Sequence, residues 1–546
     1  MKNFLIVFSI LFFLFSCSGS KKTEEIESVN TEDIKGELDV FFKDNYSTLI
    51  ASVVDKSKLD STNLVQIFYS MNNHSLIWIN DSLDLTKNGK ELIKQLSSSR
   101  KHGLETSLYN VSTLLKTKDS LKDNISKQEK FALASKLEIL LSHDYMLYGK
   151  HLNYGVLDSI DSLSVLPRRR FTTNLPQYLQ RAYQSDSIID KLLELQPTQP
   201  EYLNLQKGLE KYLETSSLST ENVLVQNYRK DSIKAISQSK KALILHNYLS
   251  EATKDSLYVS ALKKFQIEHG LRQDGLIGKN TASALSHSPY YYYKQLVINL
   301  ERWKWKENWA KNYFYVNVPS YELQLVRNHK WIKNHKVVVG KFKNQTPEIV
   351  DTLEYIIAYP FWNVPRKISV KEILGKVKRD STYLTRNNYE IMSYSRKIIN
   401  PDSINWKKVN RYNFKYLIRQ KGGGSNALGL VKFIFPNKHA IYFHDTPSKR
   451  FFKKETRAYS HGCVRVDKAL DLARFILKED HNENTIDSVY ASIKKKKRKP
   501  IKLKQQVPVY IYYFTASADS LGNITFYNDV YKRDDKLIAE LILDKS

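Results

Sequence analysis

The 546-residue chain is predicted to be a multidomain α+β protein with a mainly helical N-terminal part and a β-rich C-terminal part. Its length exceeds what one core usually holds, since domains average roughly 150 residues. Apolar residues recur at helical spacing from 37 to about 235, whereas residues 312–326 and 335–341 alternate between apolar and polar as strands do. A compact unit at 238–286, with helix-spaced apolar residues separated by glycine-containing turns, is predicted between these two parts.

The first residues have the order of an export signal. Lys2 precedes an apolar run that ends at Phe15, which is shorter than the about 20 residues of a membrane span. The sequence LFSC resembles the lipobox of bacterial lipoproteins, which implies that residues 1–16 are removed and that Cys17 is lipidated. Ser18 then favours outer-membrane attachment facing the periplasm. An ordinary signal peptide cut nearby is the alternative, and the polar residues 17–36 are expected to form a tether.

The formal net charge of +28 suggests a polyanionic partner. Export makes nucleic acid an unexpected one, and no recognition motif accompanies the charge. The basic run 494–499, KKKKRK, lacks the interleaved aromatic residues that stack on bases. We expect it to be a solvated loop, with anionic lipid or wall polymer as the alternative contact.

The segment 440–467 contains one of the two cysteines and two of the thirteen histidines. A cysteine nucleophile needs a base or a cation nearby, because the ordinary thiol pKa is about 8.5. Cys463 is the candidate nucleophile, and His444 and His461 are the candidate bases. Gly462 allows close backbone approach, so its amide and that of Cys463 are candidate oxyanion donors. A buried cysteine beside a core histidine is the structural alternative.

The order HDTP, a basic loop and RAYSHGCVRV resembles the active-site signature of the L,D-transpeptidases, the YkuD-type domain that cross-links peptidoglycan. The resemblance implies that Cys463 is the nucleophile and His444 the proton donor and acceptor. It also places His461, Gly462 and Arg465 at the family's other fixed positions. Residues i and i+2 of an extended segment lie about 6 to 7 Å apart, longer than proton transfer allows, which disfavours His461 as the base. No cofactor or metal is expected, because neither a second cysteine nor a compact ligand pair accompanies the motif.

The same resemblance extends over most of the chain and implies the domain order. It predicts a helical scaffold at 37–235, a three-helix peptidoglycan-binding module at 238–286, a connector helix at 290–311, a catalytic domain at 312–480 with a cap inserted at about 366–419, and a closing segment at 481–546. The module is expected to bind the cell wall, with a passive spacer as the alternative.

Substrate contacts are also implied by the resemblance. Trp362 and Asn363 are expected near the substrate groove, although a buried aromatic such as Trp362 is as often a core residue. Ser460 and Asn426, the latter in a glycine-containing loop, complete the expected contacts. A nucleotide-binding interpretation of those glycines fails, because no strand, loop and helix surround them.

The expected function is therefore an L,D-transpeptidase that forms 3→3 cross-links and releases D-alanine from a tetrapeptide donor. Its partners would be stem peptides and glycan strands of peptidoglycan, and carbapenems acylate this family. An L,D-carboxypeptidase that transfers the same acyl group to water is one alternative. A noncatalytic wall-binding lipoprotein is another, and the oligomeric state is not predicted.

Overall fold

The computed structural model describes residues 31–53, 61–157, 171–252, 254–307, 309–481 and 485–541. The predicted signal, Cys17 and part of the tether lie outside the described residues. No helix in the described ranges is both long enough and apolar enough to cross a membrane.

The N-terminal part is helical, as predicted. The long central helix begins with a capping box in which Ser126 and Glu129 each satisfy the other's backbone amide. The apolar faces of most of these helices pack into one core. The helices are α1 (Thr31–Val53), α2 (Ser61–Met71), α3 (Lys87–Ser97), α4 (Val111–Ser120), α5 (Lys127–Asn153), α6 (Leu175–Gln184), α7 (Ile188–Leu193) and α8 (Pro200–Thr215).

The predicted three-helix module consists of α9 (Ser232–Leu245), α10 (Tyr258–Glu268) and α11 (Lys279–Leu285). It has a small core of its own, which includes Leu243, Leu262 and Phe265. The chain leaves α10 through Gly270 at a φ of +58°, a conformation that glycine adopts without steric cost. The first helix begins at Ser232, six residues before the predicted start of the module.

The connector helix α12 (Pro289–Lys304) joins the scaffold to the C-terminal part. Its Trp303 stacks on Phe514 with a ring-centroid distance of 4.4 Å, and its Arg302 makes a buried ion pair with Asp534 at 2.8 Å. A single apolar cluster contains residues of α8, α12 and the C-terminal strands. These contacts fix the β-rich C-terminal part to the helical N-terminal part.

Within the described residues, one nine-stranded sheet has the order β11-β3-β12-β10-β9-β4-β13-β1-β2, and an additional β2–β3 pairing closes it into a barrel. This β-rich C-terminal part confirms the predicted fold class. The strands are β1 (Tyr313–Asn317), β2 (Glu322–Arg327), β3 (Lys330–Gly340), β4 (Ile349–Ala358), β5 (Trp362–Val364), β6 (Tyr389–Met392), β7 (Ile398–Ile399), β8 (Leu417–Gln420), β9 (Val431–Ile434), β10 (Phe443–His444), β11 (Ala458–Ser460), β12 (Val464–Val466), β13 (Lys499–Tyr512), β14 (Ala516–Ala518) and β15 (Ile524–Phe526).

Strand β13 corrects the predicted separation of the catalytic domain from a closing segment at 481. The strand pairs with β4 on one side and with β1 on the other, so it lies inside the barrel sheet. Val509 and Ile511 of β13 are fully buried in the barrel core. The barrel is therefore incomplete without residues well beyond 480.

The cap predicted at about 366–419 is a separate small layer with its own core. Strands β5, β8, β6 and β7 form its sheet. Its helical residues are α13 (Arg366–Ile368), a π-helical turn at Ser369–Ile373, α14 (Leu374–Arg379) and α15 (Tyr383–Arg386). The remaining helices are α16 (Ala469–Glu479), α17 (Ile486–Lys494) and α18 (Asp534–Glu540).

Candidate active site

The site lies on the outer face of three neighbouring barrel strands, β9, β10 and β12. Phe433, Phe443 and Val464 are buried in the barrel core. Because successive side chains of a strand point to opposite faces, the residues between them point outward. His444 pairs in register with Lys432 on one side and with Arg465 on the other. We call these three residues the polar row.

Cys463 lies one residue before β12, on the same outer face as the polar row. The Val464 amide donates to the Tyr442 carbonyl, which continues the parallel register and places Cys463 opposite Tyr442. His444 is then the diagonal neighbour of Cys463, at the roughly 7 to 8 Å between backbones that side chains can bridge. The fold thus brings together the predicted nucleophile and the predicted base.

The Cys463 thiol is held in its protonated form by its surroundings. Burial raises the pKa of the thiol above its ordinary value, while hydrogen bonding with Tyr442 and the charges of Lys432 and Arg465 act in the opposite direction. Its sulfur also lies 3.8 Å from the Ala440 carbonyl oxygen. The thiol therefore needs a proton acceptor at the moment of attack.

His444 has the protonation state that a base requires. Burial and the Arg465 charge lower the pKa of the imidazole to about 3, so the ring is neutral at physiological pH. Its Nδ1 lies 2.5 Å from the Asp445 carbonyl oxygen, which can only accept, so Nδ1 carries the proton. Nε2 is left with a lone pair.

The loop before the nucleophile corrects two of the predicted roles. The Ser460 hydroxyl donates to the Cys463 carbonyl at 2.6 Å and accepts from the Gly462 amide at 3.0 Å. Ser460 is almost fully buried, so it shapes this turn and is not exposed to a substrate. The Gly462 amide is occupied by that bond, which leaves the Cys463 amide as the candidate oxyanion donor. Gly462 itself has a φ of +120°, a backbone conformation that glycine adopts readily and other residues rarely do.

His461 points away from the polar row towards the cap. Its Nε2 lies 2.6 Å from Glu372 Oε1, in the π-helical turn of the cap. Such turns are frequent at functional sites. This contact agrees with the expectation that His461 is not the base, and it ties the cysteine loop to the cap.

Two residues that the motif did not indicate complete the site. The Tyr442 hydroxyl lies close enough to the Cys463 thiol for each group to shift the pKa of the other, and Trp362 also acts on the pKa of Tyr442. Lys432 places its ammonium 3.5 Å from the centre of the Tyr442 ring. The alternation of β9 would have indicated an outward Lys432, but only the strand register brings it to the thiol.

Lys432 is a largely buried cation. Burial lowers the pKa of its ammonium to about 8, the Cys463 thiolate acts to raise it, and Arg498 acts to lower it. Among the described residues no carboxylate contributes to this balance. The anion that Lys432 faces is therefore the Cys463 thiolate.

Lys432→Met is expected to slow iodoacetamide alkylation of Cys463 at pH 7 by about tenfold, because a cation that favours the thiolate is lost. Since Lys432 is charged only below its pKa of about 8, the difference from wild type should shrink as the pH rises above 8. Lys432→Arg, which keeps the charge, and Lys438→Met, in the exposed β9–β10 turn, serve as controls. An equal loss in Lys432→Arg would show that packing, not charge, is responsible.

The other predicted substrate contacts fall into two groups. Trp362 is half-buried against the cap core and reaches Tyr442, so it lies beside the nucleophile. Asn363 is exposed and pairs in register with Arg419 of β8. Both remain predictions as substrate contacts.

Asn426 differs from the expectation. It is fully buried, its Nδ2 donates to the Lys421 carbonyl at 2.8 Å, and its Oδ1 accepts from the Leu428 amide at 2.7 Å. Both ends of the side chain are used within its own loop. Asn426 thus shapes the loop between β8 and β9, and a substrate contact would require that loop to open.

Within the described residues, no cluster of three or more histidine, cysteine, aspartate or glutamate side chains is arranged to hold a metal ion.

Comparison with known proteins assigns two regions of the chain. Residues 63–209 match the family described as a scaffold domain, and residues 311–509 match the L,D-transpeptidase catalytic domain. The chain is also 36% identical over 252 residues to a Haemophilus influenzae protein named "Putative L,D-transpeptidase". That alignment covers 46% of this chain and 50% of the relative, so the chain spans about half the length of the curated relative it matches.

Proposed function

We propose that this chain, whose residues 311–509 form an L,D-transpeptidase catalytic domain, makes 3→3 cross-links in peptidoglycan through an acyl-enzyme on Cys463. The observation that carries the proposal is the diagonal placement of Cys463 and a neutral His444 on one outward face of the barrel. A nucleophile beside an oriented base is the arrangement that acyl transfer requires.

In the first half-reaction, Cys463 Sγ attacks the carbonyl that joins the third residue of a donor stem to its terminal D-alanine. His444 Nε2 accepts the thiol proton and delivers it to the departing amine. The carbon–nitrogen bond breaks, D-alanine leaves, and a thioester remains on Cys463. The Cys463 amide is the donor aimed at the developing oxyanion, and the nearby Arg465 charge favours the thiolate.

In the second half-reaction, the side-chain amine of the third residue of another stem attacks the thioester. His444 accepts a proton from that amine and returns it to the departing sulfur. A new amide bond forms between two third-position residues, and the enzyme is regenerated. The cap beside the site, tied to it by the contact between His461 and Glu372, supports a role in excluding water.

The direct test is to incubate the purified protein with disaccharide tetrapeptide and to weigh the products by mass spectrometry. A cross-linked dimer with release of D-alanine supports the proposal. A trimmed tripeptide monomer alone would identify an L,D-carboxypeptidase. No change at any concentration of donor would leave the noncatalytic wall-binding lipoprotein as the better account.

We propose further that lipidation of Cys17 holds the protein at the outer membrane on its periplasmic side. The support is the sequence LFSC after an apolar run. Cys17→Ala is expected to move the protein from the membrane fraction to the soluble fraction, because the acyl chains supply the membrane affinity. Ser20→Ala, which keeps the cysteine, is the control. An unchanged fractionation of Cys17→Ala would contradict the anchor.

A further inference from the structure

Three adjoining hollows form a groove. Two of them lie between the three-helix module and the barrel, and the third is lined by residues of the C-terminal part alone. Their volumes are about 580, 570 and 480 Å³, each within the size range of ligand sites, and none is lined by Cys463. Tyr321 and Tyr527 line both of the first two hollows, and Lys336 and Phe452 line both of the last two. The shared walls make the groove continuous.

The walls of this interdomain groove are fixed by contacts between the module and the catalytic domain. Glu455 accepts from the Arg272 amide at 3.1 Å and from Asn280 Nδ2 at 2.8 Å. Within the barrel itself, Arg457 donates to the Tyr321 carbonyl at 3.0 Å and to the Val337 carbonyl at 3.2 Å. Both charged side chains are therefore used to hold the walls together.

Other cations of the groove are exposed and available to bind a ligand. Lys336, Lys453 and Lys454 are exposed on its rim. Among the described residues, none of these three ammonium groups forms an ion pair with a carboxylate. Basic side chains also outnumber acidic ones along the three hollows. The groove thus presents a positive field to an anionic polymer.

Two buried histidines lie behind the walls of the outer hollows. His269 lines the first hollow and His335 the third, and each is only 5% exposed. Their Nδ1 atoms donate to the carbonyls of Phe265 and Asp467. Burial lowers the pKa of both rings, so both stay neutral and Nε2 is an acceptor. Within the described part of the chain, neither Nε2 has a partner.

A ligand that satisfies this groove carries carboxylates for the lysines of its rim. We propose that the interdomain groove binds the stem peptides of a glycan strand, at a second site separate from Cys463. This inference rests on the proposed function, because peptidoglycan is the substrate it implies. The loop 446–457, which connects the strand of His444 to the cysteine strand, forms one wall of the groove. A strand held there is kept close to the catalytic face.

The test measures co-sedimentation of the full chain with purified peptidoglycan sacculi. Every variant carries Cys463→Ala, so that turnover cannot alter the ligand. The triple variant Lys336→Glu, Lys453→Glu and Lys454→Glu is expected to weaken binding by at least about tenfold. Binding by the parent should also weaken as salt screens the charges. The control is Lys94→Glu, Lys116→Glu and Lys122→Glu, which makes the same charge change on exposed positions of the scaffold.

The outcomes separate this inference from the proposed function. Equal binding of sacculi by the groove variant and the scaffold variant would overturn the proposal that the groove binds stem peptides. Unchanged binding to sacculi from which an amidase has removed the stem peptides would also contradict the proposed site. The same holds if the groove variant loses binding to anionic phospholipid vesicles but not to sacculi. Alkylation of Cys463, measured with the groove substitutions in the wild-type background, should stay unchanged. Absence of cross-linked product from the wild type would refute the proposed function and leave the binding result standing.

Discussion

Cys463→Ala is expected to abolish cross-linking of tetrapeptide stems, with a loss of roughly 10⁶-fold, the scale of removing a catalytic nucleophile. Cys463 is the free cysteine of the described residues, and the other cysteine, Cys17, is proposed to be lipidated. No second thiol is then left to form the thioester. The measurement is mass spectrometry of muropeptide products, together with the intact mass of the protein after exposure to a carbapenem.

Measurements of folding distinguish the expected loss of cross-linking from an effect of the substitution on the fold. The thiol is half-buried at the edge of the barrel core, and alanine removes only its sulfur, so thermal unfolding should change little. The variant is expected to keep its far-UV circular dichroism spectrum. Dimer formation or a drug adduct in Cys463→Ala would show that another group is the nucleophile.

His444→Ala is expected to lower the rate of acylation by at least about 10²-fold, the usual scale for an acid–base group. The physical reason is that the buried thiol has a raised pKa and needs an acceptor for its proton. Since the pKa of His444 is lowered to about 3, the ring stays neutral and its Nε2 lone pair is available throughout the range from pH 5 to 8. The loss should therefore be uniform over that range.

The paired variants His461→Ala and Glu372→Gln provide the comparison. Both break the contact between the cysteine loop and the cap, so they should resemble each other and differ from His444→Ala. We expect them to raise the ratio of hydrolysis to cross-linking, because a loosened cap admits water. The iodoacetamide alkylation rate of Cys463, followed against pH, gives the decisive measurement. A thiol pKa raised by His461→Ala and untouched by His444→Ala would assign the base to the other histidine.

The neutral state of His444 also makes stability depend on pH. The pKa is about 6.5 in an unfolded chain and about 3 in the fold, so the unfolded state binds the proton first as the pH falls. The stability that this residue contributes is fully present above about pH 6.5 and is lost as the pH falls towards 3.

The helices and the first strands of the β-rich part could be predicted because burial imposes a period on the sequence. Helical spacing predicted the scaffold and the module, and alternation predicted β1 to β3. The position of β13 could not be predicted in this way. Its alternation indicated a strand, but its pairing between β4 and β1 depends on partners about 150 to 200 residues away. A pattern within one segment carries no information on which other segment it meets.

Contacts between segments distant in sequence also limit what could be predicted about the site. The sequence by itself predicted the chemistry, because the order of a thiol, two histidines and a glycine around Cys463 resembles the L,D-transpeptidase signature. Only the tertiary structure decided which groups act on the thiol. The register of β9, β10 and β12 brings Lys432 and Tyr442 to it, and the folded cap gives His461 a partner in Glu372. Hydrogen-bond partners and desolvation are properties of neighbours in space, and these neighbours come from distant parts of the chain.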